Sequence, residues 1–122
     1  LYLQVNDFKR YLPLVKLTES VNVDQLVSIY IRFYPLFQQA YEELGYPSDY
    51  FNDRLIEVID HLLSSPRVTQ PIKLIRPRIL YRYADPDLEK LSSGQKILIR
   101  MGPDNADRIK KQLRKVRELL TQ

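Results

Sequence analysis

Apolar residues recur at steps of three and four along most of the chain, and these steps predict helices. Phe8, Tyr11, Leu12 and Val15 line one face of a first helix, which Asn6 is placed to cap before Asp7. Pro13 lies inside it, so that helix is kinked or made of two pieces. Asn22 or Asp24 caps a second helix that runs to about Leu44. Its stripe of Leu26, Ile29, Tyr30, Phe33, Phe37, Ala40, Tyr41 and Leu44 is expected to be buried. Pro35 removes one backbone donor, and because Tyr34 is a poor N-cap the expectation is one kinked helix. Gly45 and Pro47 stop it. Ser48 is expected to cap a third helix whose apolar face is Phe51, Leu55, Val58, Ile59 and Leu62. The short link between the two favours an antiparallel hairpin over residues 24–63.

Residues 67–84 carry three prolines with their flank at 66, 71 and 77, and read as an extended crossing segment. Residues 73–76 suit a short strand, with residues 1–5 as the expected partner. Asp85-Pro86-Asp87 starts a helix that runs to about Met101, weakened at Ser92-Ser93-Gly94. Gly102-Pro103-Asp104 ends it and opens the last helix, with Ala106, Ile109, Leu113, Val116 and Leu120 on its apolar face. The expected fold is therefore mainly α: a compact single domain of about five helices built on the 24–63 hairpin, with a β pair of 1–5 with 73–76 as an optional addition.

Composition narrows the function classes. The chain has 122 residues, 44% hydrophobic and 28% charged, which suits one globular domain with a real core. It contains no Cys, so disulfides, thiolate metal sites and a Cys nucleophile are excluded. No apolar run reaches the length of a membrane span. The chain opens Leu-Tyr-Leu without Met and is expected to be a piece of a longer protein.

The formal charge of +4 is unevenly spread. Residues 1–66 hold five Lys/Arg against nine acids, a net −4; residues 67–122 hold fourteen against six, a net +8. Either the basic half meets an anionic partner, or the two halves attract each other within one fold. For anion binding, to nucleic acid or anionic lipid, the candidates are Arg76, Arg78, Arg82, Lys110, Lys111 and Arg114.

Two further groups carry candidate chemistry. Asp53, Glu57, Asp60 and His61 share one helical face, a carboxylate-plus-His set that could hold a metal or do acid–base work. The His is single, and the spacing matches no zinc motif, so no metal or cofactor is expected. Arg54 offers intrahelical pairing instead. Tyr46 and Tyr50, at the hairpin turn, are candidates to line a groove. Gly45, Gly94 and Gly102 stand alone, so no phosphate loop is present, and no serine motif marks a nucleophile. No catalytic residue is assigned.

YPLFQQAYEELGYP followed by YFNDRLIEVIDHLL resembles an uncharacterised bacterial family, domain of unknown function 3014. The resemblance continues through the Leu-Tyr and Ala-Asp-Pro pieces at 80–86 and the Ser-Gly-Gln-Lys and Arg-Met-Gly-Pro pieces at 93–103. It spans about residues 24–120. It implies a single-pass envelope protein with an N-terminal membrane helix, a Pro-rich linker and a soluble domain on the periplasmic face of the inner membrane. It brings no assigned site residues. Three functions follow as expectations: a non-catalytic protein-interaction or scaffold module of the envelope, an anion-binding module, or an enzyme using the Asp53–His61 face.

Overall fold

The computed structural model describes residues 2, 5–70, 72–75 and 82–122, with the side chains of Val5, Asn6, Ile75 and Arg82 left aside. The element order is α1 (Val5–Lys9), α2 (Leu12–Ser20), α3 (Val23–Arg32), α4 (Tyr34–Glu43), α5 (Phe51–Leu63), β1 (Leu74–Ile75), β2 (Arg82–Tyr83), α6 (Pro86–Glu89), α7 (Ser93–Arg100) and α8 (Pro103–Leu120). The fold is mainly helical. The five expected helices are present as eight segments among the described residues, because three of them are interrupted.

Each interruption has a local cause. Pro13, at the second position of α2, separates it from α1, and α1 itself begins at Val5, ahead of the expected cap Asn6. Ser92 starts α7 with a capping box: its Oγ accepts the Gln95 N–H and the Gln95 side chain accepts the Ser92 N–H. The expected single kinked helix over 24–44 is two helices instead. Phe33 leaves helical geometry at φ −100°, ψ 11°, and Pro35 sits in the first turn of α4, where its missing donor costs nothing.

Other caps follow the sequence. Asn22 Oδ1 accepts the Gln25 N–H at 3.1 Å, and Asp85 Oδ1 accepts the Asp87 N–H at 2.9 Å. Gly102 sits at φ 90°, in the left-handed region, with its Cα against the Phe8 ring.

The last helix, rather than the 24–63 hairpin, organises the core. α8 packs against α2, α3, α5 and α7. Val15 of α2, Val27 of α3, Ile59 of α5 and Leu98 of α7 are buried, as is Ala106 of α8. Leu98, Met101 and Ala106 form one cluster, flanked by Tyr11, Leu62 and Ile109. Ile72, Tyr83 and Ile99 form a second, flanked by Val68, Leu74, Leu88 and Leu91. Tyr83 is closed in at every edge: its OH donates to the Lys96 carbonyl at 2.9 Å, its N–H donates to Glu89 Oε2 at 2.7 Å, and the Arg100 guanidinium lies over its ring. Burial pushes its phenol above the ordinary value.

The segment at 73–75 has a further partner besides the expected N-terminal one. β1 and β2 form a two-stranded antiparallel ladder, Leu74 opposite Tyr83 and Ile75 opposite Arg82. Tyr2 joins Lys73 through an isolated antiparallel bridge, a contact between the two segments expected to pair; residues 1, 3 and 4 of the expected partner lie outside the described residues.

Candidate functional site

The hairpin of α4 and α5 is present, but its outer side is open to solvent. α4 contains no buried residue. Its inner side carries Tyr34, Gln38 and Tyr41, which continue the line of Val23, Val27 and Tyr30 on α3. Phe51 of α5 meets this line: it stacks on Phe37 at 5.8 Å with an angle of 14° and takes Tyr41 edge-on at 5.7 Å.

Polar contacts then lock α4 to α5. Gln38 Oε1 accepts the Phe51 N–H at 2.7 Å, and the Tyr34 hydroxyl accepts the Asn52 N–H at 3.1 Å. Tyr30 OH donates to Asn52 Oδ1 at 3.0 Å, and Gln38 Nε2 donates to the Asp49 carbonyl at 2.8 Å. The first amides of α5 are thus capped from a neighbouring helix. The expected cap, Ser48, lies outside the helix, which begins at Phe51 after an extended Tyr50. Burial pushes the Tyr30 phenol up to about 12.

The stripe expected to be buried is split: its Tyr30 and Tyr41 are half-buried, whereas its large aliphatic and phenylalanine members are exposed. Leu26 and Ile29 of α3, Phe33 at the junction, and Leu36, Phe37 and Leu44 at or after it are all large, apolar and open to water. Leu36 is 63% exposed and Leu44 76%. Of the four residues on which the hairpin core was expected to rest, Ile59 is buried and Leu55 half-buried, whereas Phe33 and Phe37 keep almost half their surface in solvent. The reason is that the covered side is rotated towards one edge of that stripe: α8 and α5 cover Val27, Tyr30, Tyr34 and Tyr41 and leave the opposite edge in water.

The carboxylate-plus-His set does not converge. Asp60 pairs with Arg117 of α8, Nε to Oδ1 at 2.5 Å, and Glu57 pairs with Arg54 at 3.1 Å. The Arg117 guanidinium holds the Asp60 carboxyl below its ordinary value. His61 Nε2 lies 2.7 Å from Ser92 Oγ, the hydroxyl that caps α7, and its carbonyl accepts Gln95 Nε2 at 3.0 Å. Asp53 and Glu57 do border a small polar cleft of about 280 Å³ together with Tyr50, Tyr41 and Arg54. Tyr46 instead stacks flat on Tyr41 at 4.7 Å. Among the described residues no group of three His, Asp or Glu side chains is arranged to hold a metal ion.

The basic residues are partly consumed by the fold. Lys110 is buried, and its ammonium donates to the Ser65 carbonyl at 2.7 Å; burial lowers its pKa. Arg108 forks onto Glu19 of α2, and Arg67 donates Nε to Asp107 at 2.9 Å and reaches Asp104 at 3.5 Å. Lys111 and Arg114 stand exposed on α8. Arg76 and Arg78, and the Arg82 side chain, lie outside the described residues. The acidic and basic halves therefore meet through Glu19–Arg108 and Asp60–Arg117, the intramolecular alternative of the two that the charge asymmetry allows.

A larger cleft of about 860 Å³ opens between α1 and the start of α8, lined mainly by Tyr2, Phe8, Leu12, Val68, Ile72 and Met101. Its buried amide, Asn105, spends its two N–H groups on the carbonyls of Phe8 and Met101, at 2.8 and 2.9 Å. It therefore has no donor left to fix a ligand. Sequence reasoning missed this cleft because its walls come from four separated segments.

The profile of the family described as "Protein of unknown function (DUF3014)" matches residues 1–117. The chain belongs to this family. The match reaches further towards the N-terminus than the motifs from residue 24 onward. No curated protein and no solved structure matches the chain. Among the described residues no helix is long and apolar enough to cross a membrane.

Proposed function

We propose that this DUF3014 domain is a non-catalytic protein-interaction module of the bacterial envelope, displayed on the periplasmic side of the inner membrane. One observation carries the interaction reading: a stripe of six large apolar side chains, Leu26 to Leu44, faces solvent on helices that are held in place by hydrogen bonds. These side chains present on the order of 600 Å² of apolar area, at the upper end of what a monomer shows without using it. The stripe is preorganised, since Gln38, Tyr34 and Tyr30 fix α4 on α5 before any partner arrives. The envelope location is supported by the family resemblance alone.

The same geometry favours this reading over its alternatives. Asp60 and His61 are turned to Arg117 and Ser92, which weakens the case for an enzyme built on that face. Lys110 is buried, which removes one of the six candidate cations from an anion.

The test is capture from envelope extract with the tagged domain, run beside Leu36→Glu and Lys111→Glu. Proteins retained by the parent and by Lys111→Glu but lost with Leu36→Glu support the reading. Equal retention by all three, or loss only with Lys111→Glu, overturns it.

A further inference from the structure

Resting on the reading of the α3–α4 stripe as a contact face, we infer that its partner is a second copy of this chain, paired antiparallel about a two-fold axis near Phe37. Two charges at the edge of the stripe carry this. Arg32 closes α3, and its guanidinium lies 5.6 Å from the centre of the exposed Phe33 ring. Glu43 closes α4 and takes a hydrogen bond only from Gln39, one turn back. Neither is in an ion pair among the described residues.

The two charges lie eleven positions apart, Arg32 just before the Phe33 junction and Glu43 at the far end of α4, with Leu36 and Phe37 between them. A self-complementary interface needs each feature to meet its counterpart after a two-fold rotation. When α4 and the last turn of α3 lie antiparallel on their copies with the axis beside Phe37 and Gln38, Arg32 of each protomer is carried towards Glu43 of the other. The charge pair then forms twice. The same operation lays Leu36 and Phe37 over their own copies and brings Leu44 towards the α3 end of the partner. One cation and one anion placed symmetrically about an apolar centre fit a second copy better than a partner of one charge sign.

The area agrees with a modest dimer. The stripe's roughly 600 Å² is the ceiling of what each protomer can bury there, below the roughly 800 Å² of a standard interface and at the size of reversible complexes. Phe37 at the axis is backed by Phe51, stacked on its other side, so it presents a fixed ring.

Sedimentation velocity of the purified chain from low micromolar to several hundred micromolar tests this. The parent is expected to pass from monomer to dimer across that range. Arg32→Glu and Glu43→Arg, both exposed and distant from the core, are each expected to weaken the dimer at least about tenfold. Mixing these two single variants is expected to restore a dimer, because every pair across the axis again joins opposite charges; the double variant Arg32→Glu/Glu43→Arg is expected to self-associate like the parent. Circular dichroism confirms that each variant stays folded. A parent that remains monomeric throughout overturns the inference, as does a dimer insensitive to both reversals or a mixture that stays monomeric. A monomeric parent whose capture of envelope proteins still fails with Leu36→Glu overturns self-pairing alone and leaves the interaction reading in place.

Discussion

Gln38 on α4 caps a helix to which it does not belong: its Oε1 accepts the backbone N–H of Phe51, the first residue of α5, at 2.7 Å. The same oxygen accepts the Tyr34 hydroxyl at 3.0 Å, and that hydroxyl accepts the Asn52 N–H. Two of the four amides that open α5 are thereby satisfied across the hairpin. Gln38→Ala is expected to cost about 1–2 kcal/mol in chemical denaturation, with faster amide exchange in α4. A loss no larger than that of Gln39→Ala, an exposed neighbour on the same helix, would show that the cap contributes nothing.

Gly102 and Gly45 both take positive φ, 90° and 111°, but only one is crowded. A Cβ on Gly102 would lie 2.6 Å from the Phe8 ring, whereas at Gly45 nothing lies within 4 Å. Gly45→Ala is expected to cost about 1 kcal/mol from backbone strain alone. Gly102→Ala adds an aromatic clash between α1 and α8, and is expected to cost about 2–4 kcal/mol. Equal melting shifts for the two would contradict the packing of α1 on α8.

Two pairs join the acidic and basic halves, and both carboxylates are held below their ordinary values by an arginine. For a depressed carboxylate the stabilisation is present above the unfolded value and is lost as pH falls through the folded one. Stability is therefore expected to decline once pH drops below 4.5 for Glu19 and 3.8 for Asp60. Arg108→Gln with Arg117→Gln is expected to flatten that decline in pH-dependent denaturation. Both pairs are solvent-exposed, so added salt weakens them too.

Lys110 shows the opposite sign. Its folded pKa is lowered by burial, so the unfolded chain binds the extra proton in the window below 10.5. Stability is expected to rise as pH climbs through that window. It should then fall above 10, where unfolded tyrosine ionises while Tyr30 holds its proton to about 12. Lys110→Met keeps the buried stem but leaves the Ser65 carbonyl without its donor. It is expected to cost about 1–3 kcal/mol at neutral pH and to remove the alkaline rise.

Short-range chemistry was legible from the residues. Asn22, Asp85 and Pro86 start helices as their side chains dictate, and Gly45 and Gly102 take positive φ at helix ends. Choices settled across the fold were not. The steps of three and four around Val27 and around Leu26 are equally helical, and only the docking of α8 decides which side is wet. Tyr34 has no capping side chain of its own, yet Phe33 breaks the helix because Pro35 fits a first turn better than an interior. Ser48 lost its expected cap to Gln38, a residue ten positions away that propensity alone does not connect to α5. The residues from Asp53 to His61 all lie on α5, where Glu57 pairs with Arg54 one turn away, but the partners of Asp60 and His61, Arg117 on α8 and Ser92 at the start of α7, lie far along the chain.

The α3–α4 stripe lies outside the folded core, and equilibrium denaturation of Leu36→Glu at low micromolar concentration tests this most directly. Beside it, Leu98→Ala in the buried cluster is expected to cost about 2–5 kcal/mol. Leu36→Glu is predicted to unfold within about 0.5 kcal/mol of the parent, as an exposed position should. A loss comparable to that of Leu98→Ala would place Leu36 inside the folded body and contradict the account.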